Sequence, residues 1–219
     1  MPDVLIPWRP GCRHREAALE WVADRWAGLG HRVIVGHHVI GEWCKAGAVA
    51  SALAGSTDEV VIVADADVWP ANPAAITDAI SALDDHGWAI PHHDVHRLDG
   101  PATAELIATS TPGPGRAERP YVGFAGGGIT VLRRGTYDDC PLDPRFLGWG
   151  QEDRSWAIAL RCLHGTPWRG TTDLWHLWHP PQQRANRHTG SMASHELERR
   201  YANAAKHPDA MRALIEEAK

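Results

Sequence analysis

The chain has 219 residues, of which 43% are hydrophobic and 22% are charged, and its formal net charge at pH 7 is −5. This length and balance predict one globular domain with a sizeable core. The negative charge excludes the strongly basic surface typical of proteins that bind nucleic acid or acidic membranes, while allowing a local basic patch. The sequence shows no charged-then-apolar leader and no bilayer-spanning run, so we expect a cytoplasmic protein without membrane association.

The first hundred residues alternate between short apolar segments and amphipathic segments. Strands are predicted at residues 4–6, 33–35, 60–64 and 88–90, and helices at residues 14–29, at 43–53 and from Asn72 onwards. Strands that alternate with helices are typical of a parallel, doubly wound α/β sheet.

The second half has a looser pattern. Residues 110–120 combine proline, glycine and charged residues and are predicted to form a loop. Three glycines at 126–128 precede a predicted strand at 129–133, a helix is expected over 153–163, and the end of the chain has a polar helical pattern. No segment has the composition of a domain linker, so we expect a single domain over residues 1–219.

Two aspartates directly follow the apolar strand at residues 60–64. In extended chain, residues two apart point the same way, so Asp65 and Asp67 can address one ligand. The carboxyl ends of strands are where open α/β sheets bind ligands. Two carboxylates suit Mg²⁺ or Mn²⁺, which also accept substrate phosphate oxygens. The alternative is an ordinary turn after a strand, without chemistry.

A second acidic pair, Glu152 and Asp153, follows Gly148-Trp149-Gly150-Gln151. A tryptophan face can pack against the apolar C–H face of a sugar, and adjacent carboxylates can hold a hydroxyl and accept its proton. The alternative is a helix N-terminus, where the helix dipole favours negative charge. Four histidines at positions 86, 92, 93 and 96 fit no usual structural zinc spacing.

In this order, the motifs resemble those of glycosyltransferases with the GT-A fold, especially the galactosyltransferase-like branch. The matching segments are residues 5–9, 43–46, 65–67, 126–153 and 176–179. The resemblance implies a Rossmann-like α/β fold, in which helices flank a mostly parallel central sheet in a single domain. It also implies a nucleotide-sugar-binding half at about residues 1–100, an acceptor-binding half at about 101–190, and a C-terminal helical tail at 191–219.

The resemblance further implies a metal-dependent enzyme that transfers a sugar from a nucleotide-diphosphate sugar to an acceptor hydroxyl, with inversion at the anomeric carbon. Asp153 would be the catalytic base. The acceptor would contact Trp149, Glu152 and Gly127, and the nucleotide sugar would contact Pro7, Trp8, Arg9, Lys45 and Asp65. Mn²⁺ (or Mg²⁺) would be held by Asp65, Asp67 and His176, with His179 as the rival histidine ligand.

Two other functions fit the same residues. A nucleotidyltransferase shares the nucleotide-binding sheet and metal-binding acids, and a carbohydrate-binding protein could retain the groove without catalysis. The acceptor is left open between a saccharide, a protein side chain and a hydroxymethylated DNA base. The last would place the protein in the host cytoplasm, if it is encoded by a phage.

Overall fold

The computed structural model describes residues 1–180 and 191–218. The last ten residues of the expected acceptor half, 181–190, and Lys219 lie outside the described residues. The strands are β1 (Asp3–Trp8), β2 (Val33–His37), β3 (Val60–Ala64), β4 (Val68–Pro70), β5 (Trp88–Arg97), β6 (Tyr121–Val122), β7 (Ile129–Arg133) and β8 (Trp168–His176). The helices are α1 (Arg13–Gly28), α2 (Lys45–Leu53), α3 (Ala74–Ser81), α4 (Gly100–Thr109), α5 (Arg134–Asp139), α6 (Glu152–His164), α7 (Met192–Ala204) and α8 (Pro208–Glu216).

One mixed sheet has the strand order β2-β1-β3-β7-β5-β8-β4, with β6 beside β5. The parallel pairs are β1 with β2, β1 with β3, and β5 with β8, whereas β7 is antiparallel to both of its neighbours. Following these pairings, β1, β2, β3, β5 and β8 share one direction. The expected α/β class with a mostly parallel central sheet is therefore confirmed, with antiparallel strands inserted in its second half.

The start of β7 lies beside the end of β3. This strand begins at Ile129, opposite Ala64, where β3 ends. The turn that precedes it lies beside the first aspartate, because the Asp65 N–H donates to the Gly128 carbonyl over 2.9 Å. The glycine turn and the aspartates thus meet at one edge of the sheet.

Three strands were not predicted from the sequence: the two-residue β6, and β4 and β8. β4 has three residues and ends in proline, and β8 is largely polar, so neither has a clear strand pattern. They pair antiparallel with Val68 opposite His176, and the Leu177 N–H donates to the Asp67 carbonyl over 2.8 Å. This pairing carries His176 to the second aspartate.

Helices cover both faces of the sheet. β1 is buried along its whole length, as its apolar sequence predicts for a strand with covered faces. One apolar core includes residues of α1 and α3, and the other includes residues of α2, α6, α7 and α8. Within the described ranges, no helix is both long and apolar enough to cross a membrane.

The C-terminal helices are fixed to the segment that leads into α6. The buried Tyr201 hydroxyl donates to Asp143 Oδ2 over 2.8 Å, and Arg145 forms an ion pair with the same carboxylate. Arg145 also donates to the Leu214 carbonyl in α8. Polar groups that are satisfied in this way hold the segment before α6 in place.

Candidate active site

A buried lysine joins the two acidic motifs. Lys45 is the first residue of α2, and its Nζ lies 2.7 Å from Asp65 Oδ1 and 2.7 Å from Asp153 Oδ1. Only 7% of the Lys45 side chain is exposed. Since α2 begins at the carboxyl edge of the sheet, its first residue can reach both the end of β3 and the start of α6. The lysine predicted to contact the donor therefore contacts the two carboxylates.

The charged side chains of this cluster shift one another's pKa values. Burial alone would lower the pKa of Lys45, but Asp153 and Asp65 raise it above its usual range. Burial alone would raise the pKa of Asp65, but Lys45 and the Gly128 N–H hold it below its ordinary value. Burial raises the pKa of Asp153 to about 7, and the neighbouring Glu152 acts in the same direction. A carboxylate with this pKa can accept a proton near neutral pH.

The glycine turn lies against the same carboxylate. A Cβ atom on Gly127 would lie 3.0 Å from Asp153 Oδ2. At Gly126, φ is +84° and a Cβ atom would lie only 2.3 Å from the Asp153 carbonyl oxygen, so a side chain is excluded there. Burial also raises the pKa of Glu152, whose Oε2 atom is buried without a hydrogen-bond partner. The structure therefore places Gly127 beside Asp153 and the adjacent Glu152.

A second group of ligand atoms lies around Asp67. One ligand atom from each of Asp67, His176 and His179 lies within 4.8 Å of the others. The His179 Nε2 atom is 3.4 Å from Asp67 Oδ2, and the His176 Nε2 atom is 4.0 Å from Asp67 Oδ1. Burial lowers the pKa of His176, which favours the neutral imidazole that binds metals. One carboxylate and two imidazoles are a donor set that fits a divalent transition metal such as Mn²⁺.

Asp65 has a different environment from Asp67. Its Oδ2 atom accepts from the Gly128 N–H over 3.0 Å, and its Oδ1 atom accepts from Lys45. The structure thus places both histidines, rather than Asp65, in the group around Asp67. His176 and His179, which were alternative predictions for one ligand, both lie beside Asp67.

Arg15 is a buried residue in the first turn of α1 and was not among the predicted site residues. Its Nε atom is 3.4 Å from Asp67 Oδ2, and its guanidinium carbon lies 5.3 Å from the centre of the Trp8 ring and 4.9 Å from that of Trp149. Arg15 precedes Ala18 and Val22 at helical spacing, so it belongs to the inward stripe of α1. That spacing was the signal for this residue.

The remaining predicted donor residues lie at the end of β1. Pro7 is buried opposite Gly36 of β2, and Trp8 is buried beneath Arg15. The Arg9 guanidinium donates to the Gly41 carbonyl over 3.1 Å, in the loop that follows β2. Trp149, predicted to contact the acceptor, stacks on Trp43 with a centroid distance of 5.3 Å.

The fold is similar to that of solved GT-A glycosyltransferases. The catalytic domain of Drosophila β1,4-galactosyltransferase 7, solved with xylobiose, gives a TM-score of 0.52 at 16% identity, over 90% of this chain and 78% of that one. Glucosyl-3-phosphoglycerate synthase of Mycobacterium tuberculosis, solved with Mn²⁺ and UDP-glucose, gives a TM-score of 0.46 at 15% identity, over 94% and 77%. No protein-family model and no curated protein sequence matches the chain. The first similarity confirms the GT-A fold that the motifs predicted.

Proposed function

We propose that this protein is a metal-dependent, inverting glycosyltransferase that uses a nucleotide-diphosphate sugar as donor. One observation supports this proposal above all. In a GT-A fold, Asp65 shares Lys45 with Asp153, a carboxylate whose pKa burial raises to about 7, and it lies two residues from Asp67, which groups with two histidines as possible metal ligands. The reaction needs both features, because the leaving diphosphate and the attacking hydroxyl meet at one carbon.

The donor side is proposed to lie around Asp67. This carboxylate, His176 and His179 would hold Mn²⁺ (or Mg²⁺). When bound, the ion would stabilise the negative charge that develops on the leaving diphosphate. The nucleotide and its sugar would lie along Pro7, Trp8, Arg9 and Asp65, at the carboxyl edge of the sheet. In this proposal Lys45 acts on the donor indirectly, by fixing the Asp65 carboxylate.

On the acceptor side, Asp153 is proposed to be the base. Its carboxylate takes the proton of the acceptor hydroxyl as that oxygen forms a bond to the anomeric carbon. The bond from that carbon to the diphosphate oxygen breaks on the opposite side, so the configuration is inverted. Lys45 keeps the Asp153 carboxylate in a fixed orientation, which matters because the base must lie within hydrogen-bonding reach of the hydroxyl.

The surroundings of Asp153 favour an acceptor with a neutral hydroxyl. Glu152 and Trp149 are proposed to bind it, and both suit a sugar, through hydrogen bonds and through an apolar ring face. The cation beside Asp153, Lys45, is already paired with two carboxylates. A phosphorylated or otherwise anionic acceptor would therefore meet net negative charge among the described residues.

The proposal is tested by measuring nucleoside diphosphate release from a panel of nucleotide sugars, with and without Mn²⁺, in the presence of simple saccharides. We expect release that requires both the metal and Asp67, with Asp67→Asn as the inactive comparison. Pyrophosphate release from a nucleoside triphosphate and a sugar phosphate would instead identify a nucleotidyltransferase. Saccharide binding without turnover of any donor would identify a binding protein, and either outcome would overturn the proposal.

A further inference from the structure

Arg15 links the cation-binding group to the loop that carries Trp149. Its side chain is only 7% exposed, and so is that of Asp67. The guanidinium contacts two tryptophan rings, Trp8 of β1 and Trp149 of the segment before α6. Such cation–aromatic contacts are stronger when the cation is shielded from water, and the Arg15 side chain is largely buried.

The contact between Arg15 and Asp67 is incomplete. The Arg15 Nε atom is buried without a hydrogen-bond partner, and its distance of 3.4 Å to Asp67 Oδ2 is that of an ion pair rather than a short hydrogen bond. The same Oδ2 atom also lies 3.4 Å from His179 Nε2. A divalent cation at this carboxylate would therefore share the oxygen that now attracts Arg15, and its charge would repel the guanidinium.

We propose that Arg15 is a positioning residue that couples cation binding at Asp67 to the orientation of Trp149. When a cation neutralises the carboxylate, the guanidinium loses its attraction to Asp67 and changes its contact with the indole. The coupling is reciprocal, so a ligand held by Trp149 also changes the cation affinity. This inference rests on the cation site of the proposed function, and it adds a link from that site to the acceptor loop.

The coupling is tested by fluorine NMR of protein labelled with 5-fluorotryptophan. The Trp149 resonance is identified by its loss in Trp149→Phe. Titration with diamagnetic Mg²⁺ should shift this resonance in the unmutated protein and leave it in place in Arg15→Met. The matched control is Arg25→Met, which removes an equivalent contact, 4.8 Å, over the Trp21 ring. It should leave the Mg²⁺-induced shift of Trp149 unchanged.

Calorimetry of the same variants gives a second measurement that does not depend on activity. Because Arg15→Met removes a positive charge beside the site, it should raise Mg²⁺ affinity by about fivefold or more. Arg15→Lys keeps the charge and should retain an affinity close to that of the unmutated protein. It is also the variant to use if Arg15→Met does not fold.

Three results would overturn the inference, and the last can be distinguished from the first two. If Mg²⁺ binds but the Trp149 resonance does not move, or if Arg15→Met binds the ion no more tightly, the coupling is wrong and the cation site stands. If Mg²⁺ and Mn²⁺ do not bind at all, the cation site of the proposed function fails as well.

Discussion

Replacing Lys45 by methionine tests how the two acidic motifs are held together. The change keeps the length of the side chain but removes the ammonium, which lies 2.7 Å from both Asp65 and Asp153. Removing one partner of a buried ion pair leaves uncompensated charge and costs about 3–5 kcal/mol of stability. In a domain of this size, each kcal/mol corresponds to about 2–4 °C, so the melting temperature should fall by about 6–20 °C.

The measurement is thermal unfolding followed by circular dichroism, with Lys206→Met as the control. Lys206 is an exposed lysine, so its replacement removes the same charge without stranding a carboxylate. The sign of the pH dependence gives a second check. Without Lys45, the pKa values of both aspartates rise on folding, and protonation then stabilises the folded state. The deficit of Lys45→Met should therefore shrink as the pH falls from about 8 to about 5.

A double variant distinguishes the loss of the Lys45 charge from the loss of its packing. Adding Asp153→Asn to Lys45→Met removes one of the stranded carboxylates, so the double variant should melt at a higher temperature than Lys45→Met alone. If Lys45→Met has the same melting temperature as Lys206→Met at every pH, Lys45 does not hold the two acidic motifs together, and its proposed structural role is refuted. If the deficit is large but independent of pH and of Asp153, lost packing is its cause instead.

Three further predictions concern catalysis. Asp153→Asn should lower kcat by about 10²–10⁴ with little change in donor or Mn²⁺ binding, and a variant that transfers sugar at the unmutated rate would exclude this residue as the base. Because the base acts when deprotonated, and burial raises the pKa of Asp153 to about 7, kcat/KM should fall as the pH drops below that value; a profile flat through neutral pH would contradict this assignment. EDTA should abolish transfer and Mn²⁺ should restore it best, and His176→Ala and His179→Ala should each weaken Mn²⁺ binding in calorimetry; if only one does, the other histidine is structural.

Much of the fold could be predicted because local sequence and final environment agree. β1 and β3 are apolar and buried, and α1 and α6 carry apolar stripes that face the core. β8 could not be predicted, since its polar residues become a strand only through pairing with β5 and β4. The same holds for the second half of β5, a histidine-rich segment that extends the strand predicted at residues 88–90 to Arg97.

The candidate site was predictable to the extent that its residues belong to motifs. Gly127, Glu152 and Asp153 lie together because the glycine turn packs against the start of α6. The contacts of Lys45 with the two carboxylates could not be predicted, since nothing local in the sequence shows that a lysine will lie between carboxylates that are 20 and 108 positions away. Charge pairing over such separations is a property of the topology.

The environment of His92 could not be predicted from the local sequence either. It belongs to a histidine-rich segment of the sequence, yet the residue is only 1% exposed, and burial lowers its pKa to about 3. A Cβ atom on Gly128 would lie 3.0 Å from the His92 ring. The imidazole is therefore a neutral, buried group that packs behind the glycine turn, a position that the spacing of the histidines does not indicate.

The strand order has a geometric consequence for the tripeptide Asp65-Ala66-Asp67. It connects β3, in the middle of the sheet, to β4 at the far edge, four strand positions away. In a flat sheet, four spacings amount to about 19 Å. The four residue steps from Ala64 to Val68 reach about 14 Å at full stretch. The sheet must therefore curl until its far edge approaches the end of β3. The short connection holds the sheet in this curled shape. The length of this connection is therefore fixed by the curvature of the sheet as well as by the positions of its carboxylates. We expect a one-residue insertion in it to reduce the curvature and to move His176 and His179 away from Asp67.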